Sequence, residues 1–224
     1  MSSLLFTLGL AALPAVVLIH YFYRLDRARP EPIGLIVRSV LYGFLAVVPA
    51  AAIELGIGAF VPAPQGLPGV LFEAFIVAGL VEESVKLFFV RRYIFGRPEF
   101  NERTDGIIYA ICVSLGFAFI ENFMYGHDDA GILVVRSFTA VPGHAVFSGV
   151  MGYYVGMAKL EEGRKGAWKK GLFWAIVLHG LYDALLIAGG LFGYLVLPLL
   201  LVGWRVLKRL FAKAQAMDLS RLHS

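Results

Sequence analysis

Long apolar runs restrict the fold of this chain more than any other feature. Their lengths are near the ~20 residues that cross a hydrocarbon core as a helix. Seven such runs occur, at 3–23, 34–60, 68–90, 105–126, 132–158, 168–190 and 192–212. A chain in lipid must satisfy its backbone hydrogen bonds within the spanning structure. We therefore predict an all-α, polytopic transmembrane helix bundle with about seven spans.

The composition agrees with this class. Hydrophobic residues make up 59% of the chain and charged residues 16%, and the mean hydropathy is +0.76. These values lie far from those of soluble globular proteins. Since the runs leave little chain over, we predict one integral membrane domain, 1–224, and its motifs fall within a core of about 68–190.

Basic residues are concentrated in alternate connections between the runs. The segments 91–104 and 159–170 are rich in arginine and lysine, whereas 61–67 and 191–194 carry no charge. The positive-inside rule then predicts an external N-terminus and a cytoplasmic C-terminus. Topology also accounts for the net charge of +4, so we expect the lipid bilayer, and no nucleic acid, as a partner.

Ionisable residues inside spans are costly and mark a functional site by default. The third run contains Glu82, Glu83 and Lys86. On a helix, Lys86 can reach back to either carboxylate. We expect Glu82 to be the paired carboxylate and Glu83 to be left for catalysis. The alternative is a buried ion pair that only locks two helices.

Three further polar groups follow. Glu121 and Asn122 are adjacent in the fourth run, and His179 and Asp183 are four residues apart in the sixth. The fifth run contains His144 directly after Pro142-Gly143. Broken helices at membrane depth are tolerated where they line a cavity. This pair therefore predicts a helix break beside His144.

Depth along the helices complicates a common site. Counted from the cytoplasmic ends, Glu83 and His179 lie about 12–13 Å deep, whereas Glu121, His144 and Asp183 lie about 20–24 Å deep. A break at Pro142-Gly143 is what we expect to close this offset.

Two hydrolytic chemistries fit such a set. In one, a glutamate activates water while a histidine or Asn122 stabilises the oxyanion. In the other, His144, His179 and carboxylates bind Zn²⁺, and a remaining glutamate moves the proton. The HExxH, GxSxG and GxGD patterns are absent. Proton- or ion-coupled transport through a Glu/His/Asp relay is the rival function.

The motifs resemble those of the PrsW family of intramembrane proteases. Four of them occur in order between about Leu80 and Ala188: Glu82-Glu83-Ser-Val-Lys86 for EExxK, Phe117-Ala-Phe-Ile-Glu121-Asn122 for FxxxEN, the isolated His144, and His179-Gly-Leu-Tyr-Asp183 for HxxxD. The CAAX prenyl endopeptidases are distantly similar, but Lys86, Glu121 and Asp183 depart from their pattern.

This resemblance implies cleavage of a single-pass membrane protein of the anti-sigma factor type, in a bacterial or archaeal plasma membrane. It implies Glu82, Glu83, Glu121, His144, His179 and Asp183 as catalytic residues, with Lys86 and Asn122 in support. Zn²⁺ is the cofactor we favour, held by His144, His179, Glu83 and Asp183.

Overall fold

The computed structural model describes residues 2–26, 29–128 and 130–222, and these contain helices but no strand. The elements, in order, are α1 (Ser2–Leu25), α2 (Ile33–Phe60), α3 (Leu67–Phe72), a π-helical segment π1 (Glu73–Leu80), α4 (Val81–Phe89), a second π-helical segment π2 (Val90–Ile94), α5 (Arg103–Asp128), α6 (Ala130–Leu160), α7 (Ala167–Ala188), α8 (Gly190–Gly193) and α9 (Val196–Leu222).

The predicted all-α membrane bundle is confirmed. Six helical stretches are long and apolar enough to cross a membrane: α1, α2, α5, α6, α7 and the stretch from α8 into α9. The remaining predicted span, 68–90, lies in a run that is helical from Leu67 to Ile94 but alternates between α and π geometry. Single π turns are typical of functional sites, and here π1 directly precedes the Glu82-Glu83 pair.

Local signals set the helix boundaries. Pro32 precedes the first turn of α2, and α2 ends before Val61-Pro62, where the residue preceding a proline disfavours helical geometry. At the end of α7, Gly189 adopts a positive φ of 65°, and its N–H bonds to the carbonyls of Leu185 and Leu186. Glycine favours this left-handed terminating position because it has no Cβ.

The predicted break at Pro142-Gly143 is wrong. Helix α6 is continuous from Ala130 to Leu160 and includes Pro142. Close packing on α5 holds it together. A Cβ on Gly152 would lie 2.3 Å from the carbonyl oxygen of Gly106, and one on Gly156 would lie 2.3 Å from that of Arg103. Nearer the proline, the carbonyl of His144 accepts from Ser114 Oγ of α5 at 3.0 Å. These contacts with α5 offset the one backbone hydrogen bond that a proline removes.

Helices α5 and α6 form the centre of the bundle. Within their most apolar windows 72% and 56% of the residues are buried, compared with 28% or fewer in the other four candidate spans. Since the connections are short, successive spans run in opposite directions. One end of the bundle, the 61–66 end, also contains the end of α5 and the start of α6. The opposite end, the 95–102 end, contains the start of α5 and the end of α9.

Candidate active site

Lys86 is the centre of a buried polar network. Its Nζ donates to Glu82 Oε2 at 2.9 Å and to Glu83 Oε1 at 2.8 Å, and it lies 3.0 Å from His144 Nδ1. The lysine is 0% exposed. An ammonium group has three hydrogens and no lone pair, so these contacts use its whole bonding capacity. The lysine thus fixes three side chains from two helices.

The two neighbouring glutamates have different surroundings. Glu83 is 0% exposed, and besides Lys86 it contacts His179 Nδ1 at 3.1 Å and accepts from Ser148 Oγ at 2.9 Å. Glu82 contacts Lys86 and also borders a cavity. Of the pair, Glu82 is therefore the carboxylate within reach of a substrate.

The tautomer of His144 follows from its partners. Because Nδ1 faces an ammonium group that can only donate, the ring proton belongs on Nε2. Nε2 then donates to Glu121 Oε2 at 2.9 Å. The carbonyl of His144 accepts from Ser114 Oγ at 3.0 Å, which ties the ring's helix to α5.

Arg136 holds the other side of Glu121. Its Nη2 lies 2.6 Å from Glu121 Oε1, and its Nε donates to Asn122 Oδ1 at 2.9 Å. The guanidinium also lies over the Tyr125 ring, 4.2 Å from the centroid. Asn122 Nδ2 is buried and has no hydrogen-bond partner within the described part of the chain.

His179 lies among carboxylates. Its Nδ1 faces Glu83, whereas its Nε2 is 3.2 Å from Asp183 Oδ2 and 3.9 Å from Glu82 Oε2. The ring stacks on Phe147 with 5.1 Å between the centroids. If Nδ1 carries the proton toward Glu83, Nε2 presents a lone pair to the cavity side, as in the carboxylate–histidine arrangement of metal sites.

A cavity of about 610 Å³ adjoins this network. Helices α2, α4, α5, α6 and α7 contribute to its wall together with π1, and it lies toward the 61–66 end. Its ionisable lining consists of Glu54, Glu73, Glu82, Glu121, Arg136 and Asp183, besides Tyr125. This volume is in the range of small-molecule and cofactor pockets.

The structure brings all eight residues singled out from the sequence into one connected network. The centroids of the His144 and His179 rings are 5.3 Å apart, so the depth offset disappears without a helix break. The depths of Glu83 and His179 were counted from Arg91 and Lys170, whereas π2 continues to Ile94 and α7 begins at Ala167, so both residues lie deeper than expected.

Sequence reasoning did not single out Arg136, Glu54 or Glu73, whereas all three line the cavity. Arg136 lies near the start of an apolar run. From the sequence, an arginine at that position cannot be distinguished from one at the end of a span.

The side chains suit a metal ion. Among the described residues, two groups near the cavity offer ligand atoms that all lie within 4.8 Å of one another: Glu82, Glu121 and His144, and Glu82, Glu83 and His179. Nitrogen and carboxylate donors are those that Zn²⁺ uses in catalytic sites. With its proton on Nδ1, His179 offers a lone pair on Nε2, which fits an ion better than the N–H on His144 Nε2.

Comparisons with known proteins agree with this chemistry. Residues 31–207 match the model of the PrsW family intramembrane metalloproteases. The chain is 37% identical to Protease PrsW of Geobacillus kaustophilus over 91% of this chain and 92% of that protein, and 35% identical to Protease PrsW of Halalkalibacterium halodurans over 96% and 100%. Protease PrsW of Bacillus subtilis is 32% identical over 93% and 95%. No solved structure matches the chain significantly.

The membrane bundle and its buried carboxylate–histidine network define an intramembrane hydrolase. The chain belongs to the PrsW family of intramembrane metalloproteases. It is a peptidase of the bacterial plasma membrane, which favours proteolysis over the ion-coupled transport considered from the sequence.

Proposed function

We propose that this chain cleaves a peptide bond of a single-pass membrane protein in the cavity, and that Glu82 activates the attacking water. This proposal is based on the position of Glu82. It borders the cavity and is held by Lys86, while Glu83 behind it is fully engaged. A carboxylate with few hydrogen-bond donors keeps more of its basicity than a saturated one.

The side chains of the network have separate roles in the proposed hydrolysis. Glu82 takes the proton of the water, and Glu83 and Lys86 are positioning residues for it. The unpartnered Nδ2 of Asn122 is the donor available for the oxyanion of the tetrahedral intermediate. Arg136 positions Glu121 and Asn122 by binding both.

Zn²⁺ is the metal we propose. His179 and Asp183 would hold it, because His179 Nε2 and Asp183 Oδ2 lie 3.2 Å apart beside the cavity. When bound, Zn²⁺ supplies Lewis-acid polarisation of the scissile carbonyl and a more acidic water. Compared with the set inferred from motifs, this set omits His144, whose Nε2 carries a proton, and Glu83, which already has three partners.

For the substrate we propose an anti-sigma factor with one membrane span, cut at the first site of a stress-response cascade. The support is the resemblance to the PrsW family and the depth of the cavity within the bundle. A cavity enclosed by six helical elements suits an extended segment better than a folded domain.

One experiment tests the base, the metal and the substrate together. Purified wild-type protein is incubated with a library of tagged single-pass peptides, products are identified by mass spectrometry, and bound metal is measured in the same samples. We expect about one zinc per chain, and activity that is lost on chelation and restored by zinc.

The variants separate the roles. Glu82→Gln should keep zinc and lose cleavage, whereas His179→Ala and Asp183→Asn should lose both. Zinc lost from Glu82→Gln would make Glu82 a ligand instead of the base. Full activity in metal-free protein would remove Zn²⁺ from the proposal.

A further inference from the structure

A second buried acidic group lies at the 95–102 end of the bundle. Asp26 follows α1, Glu31 precedes α2, and Asp105 lies in the first turn of α5. They are 3%, 5% and 0% exposed, respectively. Asp105 and Glu121 are sixteen residues apart on α5, which is about 24 Å along the helix. The group is therefore separate from the candidate active site.

Each of the three residues offers a ligand atom, and these atoms all lie within 4.8 Å of one another. Tyr109, one turn further along α5, donates its hydroxyl to Glu31 Oε2. Three carboxylates at this separation repel one another unless protons or a cation neutralise them.

Helix capping explains only part of the group. Asp105 Oδ2 accepts from the backbone N–H groups of Asn101 and Glu102, each at 2.7 Å. Two further oxygens, Oδ1 of Asp105 and Oδ2 of Asp26, are buried and have no hydrogen-bond partner among the residues that the structure describes. Two buried carboxylate oxygens are thus left facing a crowded acidic group.

Two nearby arginines, Arg29 and Arg103, are engaged elsewhere. Arg29 pairs with Glu102 at 3.2 Å. Arg103 pairs with Asp218 at 2.9 Å and with Glu161 at 3.1 Å. Neither of these guanidinium groups is therefore available to neutralise Asp26, Glu31 and Asp105.

The pKa values of Asp26 and Glu31 agree with this crowding of carboxylates. Burial and repulsion from Asp105, Glu102 and Asp218 raise the pKa of Asp26 to about 7. Burial and its contact with Asp105 raise the pKa of Glu31 to about 10. The group thus holds protons when no other cation is present, and a bound cation would compete with these protons more strongly as the pH rises.

We propose that Asp26, Glu31 and Asp105 form a structural site for a hard divalent cation, which fastens the α1–α2 connection to the start of α5. Carboxylate and hydroxyl oxygens without a nitrogen or sulfur donor are typical of Ca²⁺, Mg²⁺ or Mn²⁺ sites and unlike the mixed nitrogen and oxygen set of the cavity. Asp26 also borders a small cavity of about 50 Å³, which has room for water that such a cation retains.

Terbium luminescence tests the site directly, because Tb³⁺ replaces Ca²⁺ and is sensitised by a nearby tyrosine such as Tyr109. The full-length protein is purified in detergent and stripped with a chelator before titration. We expect a saturable signal that Ca²⁺, Mg²⁺ or Mn²⁺ displaces, and the order of displacement identifies the preferred cation. A wild-type protein without tyrosine-sensitised signal would overturn the proposal.

The variants locate the signal. Asp26→Asn should weaken Tb³⁺ binding by at least about tenfold, since loss of even an outer-shell partner typically costs about 10- to 100-fold. Glu162→Gln, which changes an exposed acid at the same end of the bundle, and His179→Ala, at the candidate active site, should leave binding unchanged. A signal that persists in Asp26→Asn but disappears in His179→Ala would assign the binding to the active site and refute the proposal.

Thermal unfolding gives an independent measure of cation binding. The preferred cation should raise the Tm of the wild type and of Glu162→Gln but not that of Asp26→Asn. In chelator, Asp26→Asn should melt no lower than the wild type, because the substitution removes a repelling charge. If divalent cations leave the wild-type Tm unchanged, the group is a proton-sharing cluster and not a cation site.

Discussion

Lys86 determines the chemistry of its neighbours through the direction of its hydrogen bonds. Because Lys86 donates to His144 Nδ1, the ring proton lies on Nε2. Because Lys86 also donates to both glutamates, its positive charge stabilises their buried negative charges. Breaking a buried ion pair by removing one partner costs about 3–5 kcal/mol, because the other charge is stranded. We therefore expect both stability and catalysis to depend on this lysine.

The two glutamates should respond differently to neutralisation. Glu83→Gln leaves Lys86, His179 and Ser148 with a weaker partner, so we expect a loss of about 3–5 kcal/mol of stability together with activity. Glu82→Gln should lose activity with a smaller change in stability, since Glu82 borders the cavity. Thermal unfolding and peptide cleavage of both variants check this. The sequence alone favoured the opposite order, and a lower Tm for Glu82→Gln than for Glu83→Gln would restore it.

Arg136 should matter for turnover. In Arg136→Gln the carboxylate of Glu121 and the amide of Asn122 lose their shared partner, so we expect cleavage to fall by about 10- to 100-fold, as for outer-shell partners in metal sites. Arg205→Gln, a change at an exposed arginine of α9, is the control and should remain active. Equal activity of the two variants would contradict the role of Arg136.

The contact between π1 and α7 is the element-scale feature on which the site depends. Phe75 of π1 lies against Gly180, the residue after His179, and a Cβ on Gly180 would lie 2.4 Å from Cδ1 of its ring. This close approach places the Glu82-Glu83 turn beside His179. A shift between these two elements would lengthen the 3.1 Å contact between Glu83 and His179.

Gly180→Ala tests this contact. The added methyl group must displace the Phe75 ring, so we expect cleavage to fall. We also expect a lower Tm, from a loss of stability typical of overpacking, about 1–3 kcal/mol. Gly56→Ala in α2 is the matched control, because nothing lies within 4 Å of its Cβ position. Normal cleavage by Gly180→Ala would indicate that π1 and α7 tolerate rearrangement.

Much of the fold and part of the site could be predicted from the sequence. Apolar length alone gave the spans, since lipid leaves few alternatives to helices. The π geometry between Glu73 and Leu80 could not be predicted, because it depends on packing against α7. The break expected at Pro142 failed for the same reason, since contacts with α5 outweigh one lost hydrogen bond. Arg136 and the Asp26, Glu31 and Asp105 group required tertiary contacts to become visible.

For the whole molecule, orientation decides which compartment each end faces. The 95–102 end carries the basic connections, so the positive-inside rule predicts that it is cytoplasmic. Reporter fusions at the C-terminus and in the 61–67 loop should give opposite sides, with the C-terminus inside. Both reporters on one side would mean an even number of spans between them and would misplace the motifs relative to the membrane.

The pairing of Lys86 with Glu82 and Glu83 also bears on biosynthesis. All three residues lie within five positions of one helix, so Lys86 can offset one of the two negative charges as soon as that segment leaves the ribosome. A lone charge at the centre of a span opposes insertion by the translocon by about 2.5–3.5 kcal/mol. His144 and His179 are synthesised much later, yet the third span need not wait for them to enter the bilayer. The two glutamates thus carry a counterion into the membrane before the helices of His144 and His179 have been made.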